Sequence, residues 1–312
     1  MPTDNKTTII KLTHNALVQL TPMNGLDEGY YQLSPKHVGA IQAAYLCQRP
    51  LLVRGGPGLG KSQLAHAVAS ILGWGLVSVA VHHDTSVEEL LYGIDHVQRL
   101  DEANRPGAEV KPIGDYIRPG KLWQTIAPGT LKQHNMGKPH EQDGTVLLID
   151  EIDKAEPSLP NALLEVLAER AISVPYLNEK IVADANHPHF VLITSNEERL
   201  LPQAFLRRCV TLDLQLPADK DAAIQWLMAV FKTHYPDKKQ QNEYHDLALA
   251  IAQKVIDHRQ RVTADNSGDY LSGTAEFLDT LKTLVAFDAA ERLAKLELLT
   301  EHLISKSQFG AG

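Results

Sequence analysis

Gly55-Gly56-Pro57-Gly58-Leu59-Gly60-Lys61-Ser62 follows directly on the apolar run Leu51-Leu52-Val53 and opens onto Leu64, Ala67, Val68 and Ile71 at helical spacing. The octet satisfies GxxxxGK[ST] in the strand-then-helix context that the pattern requires. Glycines let the backbone curl so that successive N–H groups point inward, and a helix opening near Lys61 adds its positive dipole end. The result is an anion cradle. This reading assigns Gly55, Gly56, Pro57, Gly58, Leu59, Gly60, Lys61, Ser62 and Gln63 to binding a triphosphate tail. Lys61 is expected to reach the β- and γ-phosphates, and the Ser62 hydroxyl to ligate Mg²⁺.

The next element outward is Val146-Leu147-Leu148-Ile149-Asp150-Glu151, an apolar strand that delivers two carboxylates at its C-terminal end. Ligands bind at that end of the strands in open α/β sheets. Asp150 is expected to hold Mg²⁺ through water. Glu151 is the candidate general base, because hydrolysis needs a carboxylate beside the γ-phosphate to polarise the attacking water. Asp153 and Lys154 read as surface or inter-subunit charges. Further buried strands are predicted at residues 76–81, 190–194 and 210–214, with helical patterns between them such as 159–171. Alternating strands and helices of this kind write a parallel sheet covered on both faces.

Ser34-Pro35 marks a helix start, and the stretch before it mixes short apolar runs with turn residues. After Leu216-Pro217 the β-branched runs stop, and helices are expected at 219–233, 243–261, 274–287 and 289–305. In the last of these, Leu293, Leu296, Leu299 and Leu303 form the apolar stripe. Residues 262–272 read as a loop, on the turn signal Asn266-Ser267-Gly268-Asp269. Trp226 and Met228 are expected in the helical core. The fold expected is a three-layer α/β/α phosphate-loop core with a five-stranded parallel sheet, followed by a small all-helical lid. The boundaries are 1–33 for the lead-in, 34–216 for the core and 217–312 for the lid.

Composition narrows the function. Of 312 residues, 44% are hydrophobic and 22% charged, and 30 basic against 38 acidic residues leave a net charge of −8. That balance argues for a folded chain and against nucleic acid or an anionic membrane as partner. Cys47 and Cys209 stand alone, too few for a disulfide framework or a thiolate zinc site. No apolar run approaches the ~20 residues of a membrane helix, and the N-terminus lacks a signal pattern, so the expected location is cytoplasmic.

Three stretches together carry a family likeness. They are the glycine-rich loop, the run Ile149-Asp150-Glu151-Ile152-Asp153-Lys154-Ala155, and Ile193-Thr194-Ser195-Asn196-Glu197-Glu198 followed by Leu201-Pro202-Gln203-Ala204-Phe205-Leu206-Arg207-Arg208-Cys209. In that order they resemble the AAA+ ATPases, specifically the MoxR group, over most of the chain from about Ser34. The resemblance implies ATP with Mg²⁺, a lid over the nucleotide, and a homo-oligomeric ring, usually hexameric, with ATP between subunits. It implies Asn196 as the first sensor, contacting the attacking water or the γ-phosphate. It implies Arg208, with Arg207 beside it, as the arginine finger offered to a neighbour. It further implies that the phosphate-loop strand lies between the Asp150 strand and the strand ending at Asn196. A protein with a von Willebrand factor A domain is the implied partner class. One departure stands out. The family often starts a lid helix with a second-sensor arginine, and the matching stretch here, Leu271 to Leu278, has no Arg or Lys; Arg259 and Arg261 precede it.

The function expected is hydrolysis of ATP to ADP and phosphate, coupled to remodelling, activating or loading a partner protein. The rival readings are a slow-turnover ATP-gated switch and, behind it, a small-molecule phosphotransferase.

Overall fold

The computed structural model describes residues 5–13, 16–23, 26, 28–105, 110–134, 143–178, 180–265 and 271–305. The chain enters through α1 (Asn5–Ile10) and an antiparallel hairpin, β1 (Leu17–Leu20) with β2 (Gly29–Gln32). Helix α2 (Pro35–Cys47) starts at a reciprocal cap, in which Ser34 Oγ accepts from His37 N–H and His37 Nδ1 accepts from Ser34 N–H. Such a cap satisfies two otherwise orphaned donors, and side-chain caps contribute on the order of 1 kcal/mol. Then come β3 (Leu51–Arg54), α3 (Lys61–Leu72) and β4 (Gly75–Ala80). An excursion follows: α4 (Val87–Leu91), β5 (Tyr92–Ile94), α5 (His96–Asn104), β6 (Ile117–Pro119) and α6 (Lys121–Ile126), with β5 and β6 paired antiparallel. The chain returns through β7 (Thr145–Asp150) and α7 (Ser158–Glu169) to a short antiparallel pair, β8 (Ala171–Ile172) and β9 (Ile181–Val182). β10 (His189–Ser195), α8 (Gln203–Leu206) and β11 (Val210–Asp213) complete this part.

Five strands form one parallel sheet in the order β11-β3-β10-β7-β4. The strand count and direction follow the sequence reading, but the order corrects it. The phosphate-loop strand β3 lies between β11 and β10, so it does not touch the Asp150 strand β7. β10 is the middle strand. Its C-terminal residues therefore stand between the phosphate loop on one side and the two carboxylates on the other.

Alternate residues of these strands feed two different cores. Leu52, Leu147, Ile149, Val191 and Ile193 pack on one face, with Trp123, Leu159 and Leu163. Leu51, Val53, Val146, Leu148 and Leu192 pack on the other, with Ile41, Leu64 and Val68. Both faces are covered, as apolar runs without polar alternation require.

The helices α9 (Lys220–His234), α10 (Lys238–Asp265), α11 (Thr274–Val285) and α12 (Arg292–Leu299) build a third core around Leu227, Phe231, Ile251, Val255, Phe277 and Leu281. Four details differ from the sequence reading. Helix α10 continues to Asp265, beyond the expected loop start at Val262, while the turn signal at 266–269 lies outside the described residues. The last apolar stripe is not the one expected: Leu293 is exposed while Leu296 is buried, and a wider turn at Thr300–Ile304 shifts the phase of the final residues so that Ile304 is buried more deeply than Leu303. Met228 is buried in this core, but Trp226 is half-buried and lines a cavity between α9 and the phosphate loop. Asp153 is the fourth and belongs to the site.

Candidate functional site

Three strand ends converge on one spot. β3 leaves its last residue, Arg54, into the glycine-rich loop, whose Gly55 sits at φ 144. A Cβ there would stand 2.2 Å from the Leu214 carbonyl oxygen, so only glycine fits. The loop closes over Gly58, at φ 73, where a Cβ would press on Ala275 of α11 at 3.3 Å. The loop and the start of α11 are thus in contact. They enclose a cavity of about 300 Å³ lined by residues 57–63, Asp150, Glu151, Asn196, Thr274, Ala275 and Leu278.

Lys61 is 6% exposed at the floor of this cavity. Its Nζ donates to the Gly55 and Gly56 carbonyls, each at 2.7 Å, and to Asn196 Oδ1 at 2.6 Å. Burial lowers its pKa, opposed by the carboxylates of Asp150, Asp153, Glu151 and Glu197. Ser62 Oγ lies 3.0 Å from both Asp150 oxygens. The Thr194 hydroxyl on the middle strand donates to Asp150 Oδ1 and accepts from the Glu151 N–H at 2.9 Å, tying β10 to β7 at their ends.

Glu151 stands at φ 60, just past the strand. Its Oε1 accepts from Asn196 Nδ2 at 2.9 Å and its Oε2 from Lys154 Nζ at 2.7 Å. The Lys154 hydrogen bond holds the Glu151 pKa below the usual carboxylate value, against the opposing effect of burial, with Asn196 adding to the lowering. Asn196 therefore bridges Lys61 through its oxygen and Glu151 through its nitrogen, the amide orientation that satisfies both neighbours. The outcome is a continuous polar row, Lys61, Asn196, Glu151, Lys154.

The residues present fit a magnesium-bound triphosphate. Ser62 and Asp150 form a hard-oxygen pair of the kind Mg²⁺ takes, and the loop offers amides beside one buried ammonium. A larger cavity of about 550 Å³ shares Leu59, Gly60, Gln63 and Thr274 with the first, and is lined by Tyr30, Tyr31, His37, Trp226 and Thr233 among others. Aromatic and apolar walls with a few polar groups suit a nucleobase.

Arg207 and Arg208 are not brought to this site. Both are exposed at the end of α8, and among the described residues neither side chain forms an ion pair or hydrogen bond. Val210 pairs with Leu51 at the start of β3, whereas the loop leaves its far end. A four-residue strand spans roughly 13 Å, so Arg208 sits at the opposite end of the strands from its own chain's phosphate loop.

Residues 50–209, just over half of the chain, match the AAA domain of the dynein-related subfamily. The chain belongs to that family. A 56-residue stretch of this AAA chain, 18% of its length, is 41% identical to midasin of Giardia intestinalis. That stretch corresponds to 1% of midasin, so the AAA chain spans only a small part of its curated relative. Two mutant forms of RuvB from Thermotoga maritima superpose on it with TM-scores of 0.45 and 0.43 at 16% identity. They cover 88% and 85% of this chain, and 71% and 68% of theirs.

Several residues of the AAA chain's site were not found from the sequence. Asp153 was read as a surface charge but is 2% exposed. Its carboxylate turns inward because the Ile152–Lys154 turn folds back under the end of β10. Lys154 is paired with Glu151. Thr194 carried a signal in principle, as a hydroxyl in an otherwise apolar central strand. The Tyr30, Tyr31 and Trp226 wall carried none, because the tyrosine pair and Trp226 lie far apart in sequence and meet only through folding. Arg259 donates to the Ser272 carbonyl at 3.1 Å and so braces the approach to α11, while Arg261 is exposed.

Proposed function

We propose that this AAA chain hydrolyses ATP to ADP and phosphate, with Lys61 and the loop amides holding the triphosphate and Glu151 as general base. Asn196 acts as the sensor that ties base to phosphate. The observation that carries the reading is the row Lys61, Asn196, Glu151 within one cavity at the loop. Bound Mg²⁺, on Ser62 and Asp150, would draw off charge developing on the phosphate oxygens. Glu151 is kept ionised by Lys154 and Asn196, which is the state a base needs.

Arg208 acts on a neighbour's ATP. Its place at the far end of the strands supports this, since an exposed guanidinium there is free to meet a second copy. The working assembly is accordingly a closed ring, of six copies by likeness to the MoxR group. The same likeness supports a partner protein with a von Willebrand factor A domain, whose remodelling, activation or loading the cycle drives.

The test is subunit mixing. Glu151→Gln and Arg208→Ala should each lose phosphate release, by ~10³-fold for the arginine, and mixing them should restore part of it, because some interfaces then pair an intact Glu151 with an intact Arg208. Absence of restoration, with mixed assemblies present, removes the shared site. A second reading, a slow ATP-gated switch, is favoured by the Lys154 ion pair on the base and by the first turn of α11, which carries Glu276 and no Arg or Lys. It predicts tight ATP retention with turnover that rises only on adding a partner.

A further inference from the structure

Asp153 has no part in the reading above. It is 2% exposed, and a buried carboxylate persists only where its oxygens are satisfied. Its Oδ1 accepts from the Asn196 backbone N–H at 3.2 Å and its Oδ2 from the Glu198 N–H at 3.0 Å. Those two amides flank Glu197, a non-glycine residue at φ 63, in the left-handed region. The Glu197 N–H is itself accepted by Ser195 Oγ at 3.0 Å. Every amide of the 196–198 tip thus ends on a side-chain oxygen, and one carboxylate supplies two of the three.

A second anchor of the tip among the described residues, the ion pair of Glu197 with Arg54, is long at 3.7 Å and half-exposed, and so holds it less firmly. The ladder from β10 to β7 ends at Ile193 with Ile149, and the ladder to β3 ends at Ser195 with Arg54. Beyond Ser195 the strand no longer fixes where Asn196 points. The tie is also reciprocal, since Thr194 on the middle strand holds Asp150 and the Glu151 amide, while Asp153 on the carboxylate segment holds the tip.

We propose that Asp153 is a positioning residue for hydrolysis: by gripping the amides on both sides of Glu197, it fixes the tip so that the Asn196 side chain spans from Lys61 to Glu151. The proposal rests on the roles given above to Glu151 and Asn196. It assigns Asp153 no contact with nucleotide. Its loss acts on the chemical step and spares binding, which Lys61 and the loop amides supply.

Asp153→Ala and the near-isosteric Asp153→Asn are made in the wild-type chain and in Asn196→Ala. Phosphate release is measured against ATP concentration, and backbone hydrogen exchange at 196–198 is followed by mass spectrometry with a non-hydrolysable ATP analogue bound. Misplacing a catalytic group by about 1 Å can lower rate by ~10²-fold. We therefore expect kcat to fall about 10- to 100-fold in Asp153→Ala, and less in Asp153→Asn, which keeps one acceptor oxygen, with KM within about twofold. In the Asn196→Ala background Asp153→Ala should cost less than about twofold more, because residues acting as a unit are non-additive. Exchange at 196–198 should quicken in both Asp153 variants and stay unchanged elsewhere in β10. An equal loss of kcat in both backgrounds, an unchanged kcat, or unchanged exchange overturns the proposal. A wild-type chain that releases no phosphate overturns the hydrolytic reading instead, and the exchange arm then decides alone whether Asp153 holds the tip.

Discussion

Gly55→Ala tests whether the loop's shape is dictated by its backbone. The new Cβ would stand 2.2 Å from the Leu214 oxygen and 3.1 Å from its carbonyl carbon, and both are backbone atoms. Leu214 cannot yield freely, because its N–H donates to the Arg54 carbonyl at 2.8 Å, holding the chain leaving β11 against the end of β3. Placing alanine at φ 144 costs about 1–3 kcal/mol in backbone strain, and forcing the neighbour aside about 1–3 kcal/mol more. The sum, about 2–6 kcal/mol, corresponds to a Tm lower by on the order of 10 °C for a domain of this size. Gly56→Ala is the matched control: a Cβ there meets no atom within 4 Å, and the change should stay within about 0.5 kcal/mol. Thermal unfolding followed by far-UV circular dichroism, without nucleotide, compares the two. Equal melting temperatures for Gly55→Ala and Gly56→Ala would refute the reasoning, since both variants add the same methyl group one residue apart.

Stability should also fall on mild acidification. Burial holds His37 and His189 at about 4, below the ordinary histidine value, so the unfolded chain takes up protons first as pH falls. Their contribution is fully present above about pH 6.5, is lost between about 6.5 and 4, and amounts to at most about 3 kcal/mol each. Urea denaturation at a series of pH values measures it, and His37→Gln, which keeps a capping-box acceptor for the Ser34 amide, should flatten the slope; an unchanged slope contradicts the assignment. Lys154→Ala should move the acid limb of the kcat profile to higher pH, because Lys154 is the main cause of the lowered Glu151 pKa. A limb that stays in place would show that Glu151 does not govern it.

Much of this was legible in the sequence because the decisive features are local. The loop, its strand and its helix are contiguous, so Lys61 and Ser62 could be placed from spacing alone, and Asp150 and Glu151 followed from an apolar run ending in two acids. What is read between strands was not local. Sheet order depends on which apolar faces meet, and the order expected from family likeness put β3 beside β7 where β10 in fact intervenes. Asp153 was misread for the same reason: a charge three residues after a strand looks solvent-bound until the neighbouring strand's amides close over it. In the helical part, a stripe drawn at α-helical spacing slipped where the last turn widens, burying Ile304 more deeply than Leu303. Trp226 is apolar by type, yet it serves a cavity wall as well as a core, a distinction no periodicity carries.

The central claim is that Glu151 activates water against a triphosphate held by the Gly55–Ser62 loop, and phosphate release from ATP by wild type and Glu151→Gln tests it most directly. The account predicts that Glu151→Gln binds a fluorescent ATP analogue as the wild type does while its phosphate release falls by ~10²- to 10⁴-fold. Undiminished release by Glu151→Gln would contradict it.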